Sequence, residues 1–319
     1  MPFPWNDIIV FDYRFKQLPE CNPMNVLQRL SEITEIPTLP EVLVKVQSLV
    51  NSDDGNARLL SKIIEQDPAL SAKILKIANS AFFNPVSQRV SSLHLAIARI
   101  GFTEIRNITM AITVIKQLSK KSNLLDYKLF WRHCLSAAYL TQIIASKLPQ
   151  KISPEEKQIC FIAGLLHDIG ILMYDQFFHK EFENIMEYAL KREDSFIAAE
   201  QAIAGKETHQ MVGSALLELW KMDSAVISGV RYHHSFERAP SHHNLVVAVI
   251  TLTEYSLCNC ALGSFEGTIG ELNGNLWEIL KISPELLGEL FSRAEEQVEQ
   301  ADLILAMEAD DKTSQLRLI

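Results

Sequence analysis

Six residues able to bind a metal ion or exchange protons recur through the middle of this 319-residue chain. They are His133, the dipeptide His167-Asp168, His209 and the dipeptide His233-His234. Neutral imidazoles together with carboxylates suit iron, manganese, zinc or similar divalent ions. Such a centre lowers the pKa of bound water and polarises a phosphoryl oxygen, which is the chemistry of phosphoester hydrolysis.

The dipeptide His167-Asp168 lies inside an apolar stretch, FIAGLLHDIGILMYDQF. A buried carboxylate is very costly unless it is paired, hydrogen-bonded or bound to a metal. A metal ion is one possible compensation for Asp168, and a charged hydrogen bond to a histidine such as His133 is the other. Adjacent helical residues point about 100° apart, so His167 and Asp168 can both reach a centre that lies between their two directions. Ligands from other helices would have to complete that centre.

The segments that carry these residues are predicted to be helical. Capping patterns mark helix starts at Thr38 with Glu41, at Ser153 with Glu156, and at Asp67 before a proline. The predicted helices cover about 24–33, 39–50, 56–66, 68–79, 91–99, 102–119, 127–148, 155–175, 180–190, 194–204, 207–220, 224–235, 242–261 and 284–308. Apolar residues recur at three-to-four spacing and strand alternation is weak, so the fold class is all-α.

Two breaks in this pattern suggest the domain organisation. Polar residues interrupt it at 119–126, and four of the twelve glycines fall within 263–275. We therefore expect an N-terminal extension, an N-terminal helical half, a helical bundle, and a C-terminal segment with an acidic tail. Their predicted ranges are 1–23, 24–122, 123–262 and 263–319.

Composition excludes several classes of function. The net charge of −9 argues against a protein whose main task is to grip nucleic acid or anionic membrane. Five cysteines without a C-x-x-C spacing indicate a reducing compartment. The start of the chain has no signal-peptide pattern and the apolar run at 159–174 is short for a bilayer, so we expect a cytoplasmic protein.

The order of the histidines resembles the HD superfamily of metal-dependent phosphohydrolases, and more specifically the HDOD domain of bacterial signalling proteins. The resemblance covers roughly residues 24–235. Its motifs are IPTLPEVLVKV (36–46), IIEQDPALSAKILKIANSAFF (63–83), SSLHLAIARIGFTEIRNI (91–108) and CFIAGLLHDIGIL (160–172). It implies a multi-helix HD-like bundle with an N-terminal helical subdomain.

The chain departs from the catalytic HD-GYP pattern at its substrate-binding parts. Ile171 stands where those enzymes carry a phosphate-binding lysine, and HHSFERAPSHHN contains no G-Y-P loop. The last metal ligand, an aspartate in those enzymes, corresponds to Glu254 or, with a one-residue shift, to Thr253. The implied candidate metal ligands are therefore His133, His167, Asp168, His209, His233, His234 and Glu254.

HDOD proteins are generally regarded as non-catalytic, so the resemblance implies a regulatory module that acts through a signalling protein partner in trans. The alternative is a metal-dependent phosphohydrolase acting on a nucleotide or cyclic dinucleotide, with iron, manganese or zinc. A third possibility is that the site binds a nucleotide without cleaving it. The remaining histidines, 94, 179, 242 and 243, are expected to lie outside the site.

Overall fold

The computed structural model describes residues 28–30, 38–49, 54–85, 88–119, 124–192, 194–260, 262, 272, 274–283 and 285–316. All regular elements within these ranges are helices, which confirms the all-α fold class. The α-helices are α1 Glu41–Gln47, α2 Asp54–Glu65, α3 Pro68–Ala78, α4 Leu93–Ile100, α5 Phe102–Leu118, α6 Tyr127–Lys147, α7 Pro154–Leu166, α8 Ile169–Phe177, α9 His179–Arg192, α10 Phe196–Ala204, α11 His209–Leu219, α12 Ser224–Tyr232, α13 Asn244–Asn259, α14 Gly274–Leu280 and α15 Leu286–Leu316. Two 3₁₀ turns, Phe236–Arg238 and Ser241–His243, lie between α12 and α13.

The described residues form two compact units. The first unit combines those of 37–119 with those from 299 onward, and the second combines those of 1–36 and 120–298. The chain thus returns to the first unit within α15, a division that differs from the predicted boundary at 262. The predicted domain ranges stay predictions, and most of the predicted break at 263–275 lies outside the described residues.

In the first unit, α1 packs against α5 and α3 packs against α4. Asn79 caps the C-terminal end of α3. Its amide nitrogen donates to Val90 O at 2.8 Å, and its side-chain oxygen accepts from Val90 N at 2.8 Å. Buried Arg106 of α5 donates to Leu49 O at 2.7 Å. These polar contacts hold the turns that join the helices of this unit.

In the second unit, α6 packs along α7, and α13 lies against both. A third layer of contacts joins α11 to α8 and α12. The start of α7 has the predicted capping box: Glu156 N donates to Ser153 Oγ, and Ser153 N donates to the Glu156 carboxylate. In the first unit, Asp67 likewise caps α3 as predicted, by accepting from the backbone N–H groups of Ala69 and Leu70.

The capping box predicted at Thr38 is wrong. The cap of α1 is Pro40, which makes Glu41 the first helical residue instead of the third, and the start of this helix has no side-chain cap hydrogen bond. A glutamate at that position cannot reach back to an N-cap. It forms an ion pair with Lys45 at 2.7 Å instead, one turn along the helix.

The helix predicted over 155–175 is interrupted at His167-Asp168. Asp168 has φ −95° and ψ 10°, and α8 begins at the next residue. Two residues beyond this interruption Gly170 packs closely against α11, where an added β-carbon would lie 2.6 Å from the backbone carbonyl carbon of His209. The bend and this contact bring the start of α11 directly against the dipeptide.

By length and composition, one stretch among the described residues, Pro154–Phe177, could cross a membrane. Its most apolar window is 94% buried inside the protein. That degree of burial is typical of a core helix, and α7 and α8 form the centre of the second unit.

Candidate metal centre

Five segments of the second unit bring the seven predicted ligands together. His133 lies on α6, His167 and Asp168 lie between α7 and α8, and His209 opens α11. His233 and His234 directly follow α12, and Glu254 lies on α13. Six of the seven residues are almost fully buried, with exposed fractions of 0–3%, and His234 is half-buried.

Backbone carbonyls orient three of the imidazoles. The Nδ1 atom lies 2.9 Å from Leu262 O for His133, 2.8 Å from Gly164 O for His167, and 2.7 Å from Val230 O for His233. A carbonyl oxygen only accepts, so each Nδ1 carries the proton. In the neutral ring each Nε2 then presents its lone pair to the interior, which is the form of imidazole that binds metal.

The ligand atoms form two groups that share Asp168. One group contains His133, His167 and Asp168. The other contains Asp168, His209, His233 and His234, and the ligand atoms of each group lie within 4.8 Å of one another.

Each carboxylate oxygen of Asp168 faces one group. Oδ2 lies 3.3 Å from His167 Nε2 and 3.5 Å from His133 Nε2. Oδ1 lies 3.6 Å from His209 Nε2 and 3.7 Å from His233 Nε2. This is the arrangement of a carboxylate able to bridge two cations.

Glu254 completes the first group. Its Oε2 atom lies 3.2 Å from His133 Nε2 and 3.1 Å from His167 Nε2. Neighbouring Thr253 turns away and donates to Val249 O in its own helix at 2.8 Å. Of the two predicted alternatives, Glu254 is therefore the residue that faces the centre.

The spacing of the nitrogens fits a metal ion. The Nε2 atoms of His133 and His167 are 3.0 Å apart, and those of His209 and His233 are 3.2 Å apart. Two neutral imidazoles whose Nδ1 atoms hold the protons would face each other there with two lone pairs. Imidazoles bind zinc at about 2.0–2.1 Å, so two such ligands at right angles lie about 3 Å apart. The cluster could therefore bind metal.

The carboxylates dominate the electrostatics of the metal-free first group. Burial opposes a charge on His167, but Asp168 and Glu254 outweigh it and hold the pKa of this imidazole well above its usual value. Glu254 acts in the same way on His133, whose pKa is also raised against burial. Conversely, the imidazoles hold the carboxyl pKa values of Asp168 and Glu254 well below the usual range, although burial opposes this.

The second group is less uniform. Burial lowers the pKa of His233 to about 4 and lowers that of His234 well below its usual value. His209 differs because Glu200 outweighs the burial and raises its pKa. His233 and His234 are therefore held in the neutral form that a metal requires.

Two side chains near the centre were missed by sequence reasoning. Fully buried Glu200 accepts from both the backbone N and the Nδ1 of His209. Its signal was a carboxylate inside the apolar stretch FIAAEQAIA, the same signal that identified Asp168. Cys258 donates its thiol to Glu254 Oε1 at 3.0 Å, one helical turn away.

The four remaining histidines and Ile171 do not belong to either ligand group. His94, His179 and His242 are exposed, and His243 contacts Ser228 Oγ at 2.8 Å, outside both ligand groups. Ile171, at the position of the catalytic lysine, is completely buried.

Comparison with known proteins identifies the family. A model of the HDOD domain matches residues 36–236. An uncharacterized protein of Treponema pallidum (strain Nichols) is 23% identical over 225 residues, which are 70% of this chain and 42% of that protein. Protein YuxH of Bacillus subtilis (strain 168) is 29% identical over 54% of this chain and 38% of its own length. The chain thus spans about two fifths of the length of these curated relatives.

Solved structures share the fold. An HDOD domain protein of unknown function from Geobacter sulfurreducens is 24% identical, with a TM-score of 0.68 over 92% of this chain and 95% of that one. A chain from Marinobacter aquaeolei VT8, provisionally named a signal transduction protein, is 24% identical, with a TM-score of 0.69 over 92% of this chain and 62% of its own. A chain from Shewanella amazonensis SB2B, provisionally named a phosphohydrolase, is 20% identical, with a TM-score of 0.65 over 89% of this chain and 100% of its own. The family match spans most of the chain and the fold agrees with it, so this protein belongs to the HDOD family.

Proposed function

We propose that this chain is a non-catalytic regulatory module of cytoplasmic signalling. Its centre holds iron, manganese or zinc as a structural element, and the module acts through a protein partner supplied by another chain. The observation that carries the proposal is the burial of the centre. Asp168, which both ligand groups share, is only 1% exposed, and His167 and His209 are not exposed at all.

Burial separates a structural metal from a catalytic one. Structural sites are closed by protein ligands, whereas catalytic sites keep a position open for water or substrate. Here each group has three imidazoles or carboxylates besides Asp168. Among these candidate ligands only half-buried His234 comes near the surface. Among the described residues, the side chains around Asp168 leave it only 1% exposed, so a phosphoester would have to displace them to reach it.

The spacing around Asp168 favours a metal over a metal-free network. Charged hydrogen bonds between nitrogen and oxygen are about 2.7–2.9 Å long. The four imidazoles around Asp168 lie 3.3–3.7 Å from its oxygens. A cation in each group would be within reach of the Nε2 atoms of that group and of one carboxylate oxygen of Asp168, and the imidazole and carboxylate donors suit iron, manganese or zinc.

The residue at the position of the substrate-binding lysine also supports a non-catalytic role. Ile171 is packed in the core, so no charged side chain replaces the lysine at this position. The residues after His233-His234 form two short 3₁₀ turns without a glycine. The name of the M. aquaeolei relative, which concerns signal transduction, is consistent with a regulatory role.

The test is metal content and stability of protein purified without a nickel column. The variant is His167→Ala with Asp168→Ala, and the matched control is His242→Ala with His243→Ala, another histidine-containing dipeptide but one outside the centre. We expect one or two equivalents of metal in the wild type and the control, and none in the variant. At metal concentrations a thousandfold above Kd, binding stabilises by about 4 kcal/mol, so chelation should lower Tm by roughly 10 °C.

A second candidate function is phosphohydrolysis. Asp168 faces one ligand group with each oxygen, and a two-metal clamp stabilises both the attacking and the leaving oxygen of a phosphoester. Turnover of a nucleotide or cyclic dinucleotide by metal-loaded protein, removed by chelation and by the same double variant, would establish it and refute the scaffold. A nucleotide that raises Tm without being cleaved would indicate ligand sensing instead.

A further inference from the structure

Glu200 stands directly behind one of the candidate ligands. It lies on α10 and is completely buried. Its Oε1 accepts the backbone N–H of His209 at 2.5 Å, and its Oε2 lies 2.8 Å from His209 Nδ1. Both carboxylate oxygens are thus engaged by a single residue nine positions further along the chain.

His209 is held differently from the other three oriented imidazoles. Those of His133, His167 and His233 direct Nδ1 at neutral backbone carbonyls, whereas His209 directs Nδ1 at an anion. A carboxylate on the outer nitrogen raises the basicity of the inner one and fixes the tautomer. Each group thus has one carboxylate besides Asp168: Glu254 faces the Nε2 atoms of the group with His133, whereas Glu200 lies behind His209, on its Nδ1.

We propose that Glu200 is a positioning residue that fixes the tautomer of His209 and thereby creates the second metal position, formed by Asp168, His209, His233 and His234. The inference rests on the proposed metal centre and adds that only one of its two metal positions depends on Glu200. The position at His133, His167 and Glu254 does not depend on Glu200, so the two positions differ in what controls them.

The requirement is for two acceptors. His209 offers two donors, its backbone N–H and Nδ1–H, and an ionised carboxylate offers only acceptors. Glutamine has nearly the same shape but one acceptor and one donor. If its oxygen meets the backbone N–H, its NH₂ group faces Nδ1 and forces that atom to accept. The ring proton then moves to Nε2, which loses the lone pair that faces Asp168.

The experiment compares wild type, Glu200→Gln, Glu200→Asp and His209→Ala by metal titration and mass spectrometry. We expect two equivalents in wild type. In Glu200→Gln one equivalent should bind as before and the other about 10–100-fold more weakly. Glu200→Asp keeps two acceptors and should bind the second ion more tightly than Glu200→Gln. Glu218→Gln, which removes an exposed carboxylate from α11, serves as the control and should bind two equivalents.

A double-mutant comparison separates positioning from a general loss of stability. With His209→Ala already present, Glu200→Gln should cause no further loss of metal. Two equivalents bound with unchanged affinity in Glu200→Gln would overturn the proposal. So would an equal loss at both positions, because that is the outcome of a merely structural role.

A spectroscopic measurement keeps this inference apart from the metal proposal. In metal-free protein, at a pH where His209 is neutral, long-range ¹H–¹⁵N correlation reports which ring nitrogen holds the proton. We expect Nδ1–H in wild type and Nε2–H in Glu200→Gln. If wild type binds no metal but the tautomer inverts, the proposed function fails and the role of Glu200 stands. The same tautomer in both proteins refutes that role.

Discussion

Gly170→Ala offers the most direct test of how the helix packing builds the metal centre. The α-carbon of Gly170 faces the backbone of His209, and an added β-carbon would lie 2.6 Å from the carbonyl carbon of that residue. Ordinary contacts begin at 3.4 Å, so the two backbones must separate by about 0.8 Å at this atom, and by more at the carbonyl oxygen of His209, which lies nearer still. A backbone atom cannot rotate aside as the end of a side chain can.

The magnitude follows from this overlap. Overpacking of a well-packed core costs about 1–3 kcal/mol. For a unit of this size each kcal/mol lowers Tm by about 2–4 °C, so we expect a loss of roughly 2–12 °C. The displacement also acts on the site, because a shift of His209 by about 0.8 Å would stretch its 2.8 Å contact with Glu200. The metal position that contains His209 should weaken together with stability.

The assay is thermal unfolding followed by circular dichroism, combined with metal titration. Gly288→Ala is the matched control, since it lies in α15 with nothing within 4 Å of its β-carbon position. That variant should be unchanged or more stable by up to about 1 kcal/mol, because alanine is the better helix former. If Gly170→Ala is as stable as Gly288→Ala and binds the same amount of metal, the close approach does not position His209.

Three further predictions concern charge and burial. Asp168→Asn removes the charge that both ligand groups share at nearly constant size, so metal content by mass spectrometry should fall at both positions; a full complement of metal would contradict the bridging role. The raised pKa values of His133 and His167 stabilise metal-free protein below their unfolded value of about 6.5, and this contribution is lost as pH rises through the folded values. Metal binding must displace those protons, so the difference in Tm between loaded and chelated protein should widen as pH rises; a constant difference would refute it. Arg106→Met leaves Leu49 O without its donor in the first unit, and unfolding should show a loss of about 1–3 kcal/mol with metal content unchanged; an altered metal content would show that the two units are coupled.

The helical architecture and the ligands were accessible from the sequence because both rest on local signals. Apolar spacing and the caps at Ser153 and Asp67 marked helix starts that the structure confirms. The histidines were recognisable by their residue types and order. The structure brings His133, His167, His209 and His233 together around Asp168, although their role as ligands stays a proposal.

What the sequence could not disclose depends on contacts between distant residues. The break after Leu166 and the close approach of Gly170 to His209 are not reported by any periodicity within the apolar run. Glu200 reads as one polar residue in an apolar helix until α11 is placed beside it. The error at Thr38 is local, because Pro40 caps α1 and the helix begins two residues later than the capping pattern indicates.

The burial of the centre and its donor set favour different functions. The donor set, with Asp168 facing two groups, is what two-metal hydrolysis requires. Hydrolysis also requires an approach for the phosphoester, and among the candidate ligands only His234 is partly exposed. Next to His233 and His234, core positions of α12 such as Val226 and Val230 are completely buried. A structural metal requires no such approach and gains from the burial, because water is excluded from every ligand. The same seven side chains therefore favour a module that is held together by its centre over one that turns substrate over.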